Sequence, residues 1–195
     1  MSPAESWAGN WRSALSVYTR PRVVSMVFLG FAAGLPFLLV FTTLSAWLTE
    51  AGISRTTIGF FSWVGITYSI KVFWAPVIDR LPFPLLTRVF GKRRGWMLAA
   101  QITIATGRAG MALTNPGSNL TQLALFALLV AFGSATQDIT IDAWRIEAVE
   151  RDMQGAMAAA YVLGYRLALL TAGAGALHLA NITSWSLTYQ IMACL

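Results

Sequence analysis

Leu120-Thr-Gln-Leu-Ala-Leu-Phe-Ala-Leu-Leu-Val-Ala-Phe132 runs through Gly133 into Ser134-Ala-Thr-Gln-Asp-Ile-Thr-Ile-Asp-Ala-Trp-Arg-Ile-Glu147. The first half is apolar enough for the start of a membrane-spanning helix. The second half carries Asp138, Asp142 and Arg145 at steps of four and three residues. On a helix that spacing keeps the three side chains within about 60° of one another, with Glu147 on the opposite face. Charge on a spanning helix is costly unless it faces a partner or a watery cavity, so the stripe is a candidate functional site. A stripe lying in the inner headgroup layer, solvated and without function, fits the same spacing.

The whole chain reads the same way. It is 56% hydrophobic and only 11% charged, against roughly a quarter charged in a soluble domain. Apolar runs at about residues 23–48, 57–78, 95–113, 120–149 and 154–179 are expected to be spans, and a sixth begins at Trp185. The expected fold is therefore an all-α integral membrane bundle of five complete spans and the start of a sixth. The net charge of +6 does not point to nucleic acid, because the basic residues flank apolar runs. Ten of the fourteen Lys and Arg lie on the side of the N-terminus and only Arg55 on the other, while Lys71, Arg108 and Arg166 fall within spans. That bias places the N-terminus in the cytoplasm. Trp7, Trp11, Leu15 and Tyr18 recur at helical spacing, which fits an amphipathic segment at the inner interface over residues 1–21, ahead of a bundle over 22–195. A lead-in without regular structure fits equally.

Three intramembrane cations need explaining. Lys71 either snorkels to the inner headgroups or turns inward to meet an acidic substrate or Asp138. Asp138 and Arg166 lie equally far from the inner turn at Asp152, about 21 Å along each helix, so a salt bridge between them, or an exchange of partners during a transport cycle, is expected. Tyr161 and Tyr165, one turn apart, either line a polar cavity or anchor the helix at the interface. Enzyme chemistry is poorly supported: there is one histidine, His178, with no metal-ligand spacing, and no nucleotide or catalytic-triad motif. No cofactor or metal is expected.

Six ordered motifs give a more specific reading. They are Phe28-Leu-Gly-Phe-Ala-Ala-Gly-Leu-Pro36, Thr57-Ile-Gly-Phe-Phe61, Lys71-Val-Phe-Trp-Ala-Pro-Val-Ile-Asp-Arg80, Gly91-Lys-Arg-Arg-Gly-Trp96, Ala135-Thr-Gln-Asp-Ile-Thr-Ile-Asp-Ala143 and Val162-Leu-Gly-Tyr-Arg166. Together they resemble the AmpG-type muropeptide permeases of the major facilitator superfamily. The resemblance implies the N-terminal half of a proton-coupled importer in the bacterial inner membrane. Its cargo would be anhydromuropeptides, GlcNAc-anhydro-MurNAc with or without a stem peptide, taken up for peptidoglycan recycling and β-lactamase induction. It also implies a second helical bundle, absent from these 195 residues. On this reading Asp138 and Asp142 are candidates for proton coupling. Lys71, Arg166, Tyr161, Tyr165 and Gln137 are candidates for substrate binding. Asp79, Arg80, Arg93, Arg94 and Arg145 are candidates for cytoplasmic gating, and Arg108 departs from the pattern. A related carrier of another large anion such as acetyl-CoA, or a non-transporting membrane module, remains an alternative.

Overall fold

The computed structural model describes residues 15–195. Trp7, Trp11 and Arg12 of the expected amphipathic segment lie outside the described residues; Leu15 and Tyr18 are exposed beside a short 3-10 turn, Val17–Thr19. All regular structure among the described residues is helical.

The first rod is α1 (Pro21–Val40) followed by α2 (Thr42–Glu50). Pro21 opens it, where a missing N–H costs nothing. Pro36 is inside it and leaves the carbonyl of residue 32 without its helical donor; within two turns the helix breaks at Phe41 (φ −102°, ψ −88°). The second rod is segmented into α3 (Arg55–Phe61), α4 (Ile66–Ile70) and α5 (Ala75–Arg80), with 3-10 turns at Ser62–Gly65 and Lys71–Phe73. Then come a short helix α6 (Leu86–Phe90), the third rod α7 (Lys92–Leu113) and the fourth, α8 (Leu120–Ala148). The fifth rod is α9 (Gln154–Leu170), a π-turn at Thr171–Gly175 and α10 (Ala176–Ile182); the sixth begins as α11 (Trp185–Cys194). Three stretches, Pro21–Glu50, Leu120–Ala148 and Arg151–Ile182, are long and apolar enough to cross a membrane. The second and third rods, also expected to span, fall short of that standard: 3-10 turns segment one, and Gln101 and Arg108 dilute the other.

Packing follows the small residues. A Cβ on Gly164 would run into the carbonyl of Val27, and one on Gly30 into the carbonyl of Tyr161, so α1 and α9 meet backbone to backbone. At Gly107 and Gly133 a Cβ would press first on the side chains of Val130 and Ile104, with the carbonyls of Phe126 and Ala100 close behind, so α7 and α8 also pack closely. The second rod and α1 also lean on α8, and α11 packs on α7. By contrast α8 and α9, joined by a short turn, barely touch. Thr43, just past the break, donates its buried hydroxyl to the Ala172 carbonyl (2.6 Å), inside the π-turn that loosens the regular ladder. Thr43→Val should lower the stability of the detergent-solubilised protein by about 1–2 kcal/mol, read by thermal melting, because it leaves a buried carbonyl without a donor.

Candidate functional site

The second rod reaches α8 near the middle of the bundle. Where its helix tightens into the 3-10 turn, Lys71 Nζ meets Asp138 Oδ2 at 3.5 Å, the side chains 35% and 20% exposed. Trp74 fixes the register there: its indole N–H donates to Thr136 Oγ1 (3.2 Å) and its ring packs on Phe132. One turn further along α8, the exposed Asp142 pairs at 3.4 Å with Arg145, which is half-buried. From α9, Tyr161 and Tyr165 lie with ring centroids 6.1 Å apart and within electrostatic reach of Asp138. The result is a half-open polar patch of two carboxylates, two cations and two phenols, held on three rods that keep a gap between α8 and α9.

One sequence expectation needs correcting. Asp138 pairs with Lys71 and not with Arg166, which is exposed and makes no ion pair among the described residues. Equal distance from the turn brings Tyr165 opposite Asp138; Arg166 is one residue on and therefore turned about 100° away. Gln137, a candidate for substrate binding, lies outside this patch. It is 1% exposed and faces a cavity of about 260 Å³ that Arg108 also lines. Arg108 is buried and donates through Nη1 to the Met192 carbonyl (2.7 Å), tying α7 to α11.

A second cluster ties together the ends of three rods around α6. Leu85 (φ 68°) and Gly91 (φ 81°) turn the chain around α6 and return Arg93 to the end of α5. Arg93 then bridges two carboxylates, Asp79 at 2.7 Å and Glu147 at 2.6 Å, while Lys92 donates to the Asp79 carbonyl at 2.6 Å. The hydrogen bonds Arg93 donates to Glu147 push its guanidinium pKa up; burial opposes them, and the bond donated to Asp79 adds to the rise. One arginine therefore joins the second, third and fourth rods at the ends that flank α6. Sequence reasoning missed Glu147 as its partner. The signal was present, since Glu147 sits on the face opposite the Asp138 stripe and must point elsewhere. Arg80 and Arg94 are exposed and make no ion pair among the described residues. Arg93→Gln should cost about 1 kcal/mol, since both carboxylates are largely solvated, and lower the melting temperature by about 3 °C. A double-mutant cycle of Arg93→Gln with Glu147→Gln should be non-additive.

Comparisons with known proteins agree on a transporter. Residues 22–113 match the family described as Acetyl-coenzyme A transporter 1. The anhydromuropeptide permease of Escherichia coli K12 is 44% identical over 182 residues, covering 93% of this chain and 36% of that protein. The putative transporters AmpG 4 of Rickettsia conorii and AmpG 3 of Rickettsia typhi are 37% and 34% identical, covering 88% and 89% of this chain and 42% of each relative. The chain thus spans little more than a third of the length of the Escherichia coli protein. An all-helical membrane bundle with this identity along nearly its whole length belongs to the AmpG-type permeases of the major facilitator fold.

Proposed function

We propose that the chain is the N-terminal helical bundle of an importer that carries anhydromuropeptides inward together with protons. The observation that carries this reading is the 44% identity to an anhydromuropeptide permease over 93% of the chain. Residues 1–21 form a cytoplasmic or interfacial lead-in and residues 22–195 the membrane bundle, in the bacterial inner membrane with the N-terminus inside. The basic-residue bias supports that orientation. The role is transport and not catalysis, and a second bundle completes the cavity.

The Lys71–Asp138 pair supports the coupling scheme. At 3.5 Å it is long for a charge-assisted bond, and a proton arriving on Asp138 removes the charge that holds Lys71. The freed ammonium can then attract a lactyl or peptide carboxylate of the cargo, while Tyr161 and Tyr165 contact sugar. Loss of the proton to the cytoplasm restores the pair and expels the carboxylate. Coupling here is a competition between one carboxylate of the protein and one of the cargo for the same cation.

Acetyl-CoA is the rival cargo, favoured by the family match at 22–113. Right-side-out vesicles expressing the complete open reading frame should accumulate labelled anhydromuropeptide when the outside is acid and lose it when a protonophore is added. Excess acetyl-CoA should not compete. Competition by acetyl-CoA but not by unlabelled muropeptide would reverse the assignment.

A further inference from the structure

Asp138 has a second oxygen. Oδ2 faces Lys71, but Oδ1 is buried and has no hydrogen-bond partner among the described residues. Two more buried oxygens nearby are in the same condition, Ser134 Oγ and Tyr68 Oη. Ser134 is one turn before Asp138 on α8, so both project from the same face. Tyr68 is one turn before Lys71 on the second rod; its hydroxyl faces Ser134 and lies within electrostatic reach of Asp138. The ring is held among Phe37 and Phe41, centroids 6.0 Å from each, beside the break in the first rod.

Ser134 stands apart from other hydroxyls on these rods. Thr140, Thr103, Ser45 and Thr171 each donate back to the carbonyl four residues earlier, the usual resting place for a hydroxyl in a helix. Ser134 does not, although it is 1% exposed. A buried polar group without a partner costs stability, and two such hydroxyls beside an equally unpartnered carboxylate oxygen call for a functional reason.

We propose that Ser134 and Tyr68 are positioning residues for Asp138. When the carboxylate is ionised, Ser134 donates its hydroxyl proton to Oδ1 and Tyr68 donates to Ser134, a chain of two hydrogen bonds on the side opposite Lys71. No covalent bond changes. Both donors favour the charged form, so they set the proton affinity at which Asp138 releases Lys71. Other groups facing Asp138 are Lys71 from the second rod, Asp142 from its own helix and Tyr161 and Tyr165 from α9. None of these occupies the Oδ1 side as a hydrogen-bond partner. The inference rests on the proton-coupled reading above.

The test is exchange of labelled anhydromuropeptide by the complete transporter in vesicles held at equal pH inside and out, so that titration is separated from driving force. Ser134→Ala should move the midpoint of the pH profile upward by about one unit, the effect of losing one hydrogen bond to a charged group. Tyr68→Phe should move it upward by less, because it acts through Ser134, and the double variant should match Ser134→Ala alone. Unmoved midpoints in both single variants would overturn the inference. If Ser134→Ala does not accumulate in the membrane, Tyr68→Phe decides alone, since it keeps the ring between Phe37 and Phe41. Asp138→Asn separates the two levels. A normal pH profile in that variant defeats the coupling reading itself; loss of pH dependence there, with unmoved midpoints in the hydroxyl variants, defeats only the role of Ser134 and Tyr68.

Discussion

Asp138→Asn should reduce uphill accumulation of anhydromuropeptide to none while leaving the bundle inserted and folded. The size of the effect follows from the driving force. A pH difference of about two units, each worth about 1.4 kcal/mol per proton, sustains up to about a hundredfold accumulation in a one-proton symporter. Asparagine keeps the shape of the side chain and can accept from Lys71, but it cannot take up and release a proton. The concentration ratio across the vesicle should then settle near unity while downhill movement persists. Lys71 would lose its ionic partner (the pair is only part-buried, side chains 35% and 20% exposed), so some loss of stability is expected as well. The double variant Lys71→Gln with Asp138→Asn controls for this, because it removes both charges together and leaves neither stranded. Uphill accumulation at the wild-type ratio by Asp138→Asn would remove this carboxylate from the coupling scheme.

The largest effect on folding is expected at Gly164. A methyl group there meets the Val27 carbonyl and is followed by close contacts to the Val27 carbonyl carbon (2.8 Å) and the Phe31 nitrogen (2.9 Å), all backbone atoms that cannot rotate aside. The reciprocal contact at Gly30 is against the Tyr161 carbonyl, and a Cβ on Gly34 would come within 2.8 Å of the Tyr165 carbonyl oxygen. Lipid offers no hydrophobic drive for two helices to associate, so close backbone approach is what holds α1 to α9. Gly164→Ala should cost about 3 kcal/mol or more, at the upper end of overpacking effects, and Gly164→Leu should prevent accumulation in the membrane. Gly155, with nothing near its Cβ position, supplies the control: Gly155→Ala should accumulate normally. A melting temperature for Gly164→Ala equal to that of the unaltered protein would show that the two helices do not meet here.

How far the sequence revealed this architecture varies by level. Apolar runs gave away where the rods begin and end, because burial in lipid needs about twenty consecutive residues and leaves few alternatives. The partnership of Lys71 with Asp138 was one of two open readings, and the ion pair is what the fold selects. Rotation about each axis was beyond reach. Arg166 and Tyr165 are neighbours in sequence, yet only the tyrosine comes opposite Asp138; Gln137 adjoins Asp138, yet turns into a different cavity. Rotation is decided by contacts between residues far apart in the chain, such as Gly30 with Tyr161 and Thr43 with Ala172, and no local pattern encodes it. The Arg93–Glu147 bridge was half visible: the helical period turns Glu147 away from the Asp138 stripe, but its partner emerges only once the turn through Leu85 and α6 places the third rod against the fourth.

The seam between α1 and α9 also bears on how the protein is made. Thr43 and Ala172 are separated by 129 positions, which a ribosome working at about 5–20 residues per second covers in on the order of ten seconds. During that interval the earliest helix sits in the bilayer with its glycine-lined side open to whatever is adjacent. A photo-leucine in place of Leu38, whose side chain reaches Gly173 across the seam, should therefore label lipid or an insertion factor in nascent chains stalled before α9, and the π-turn at Thr171–Gly175 once synthesis has passed it.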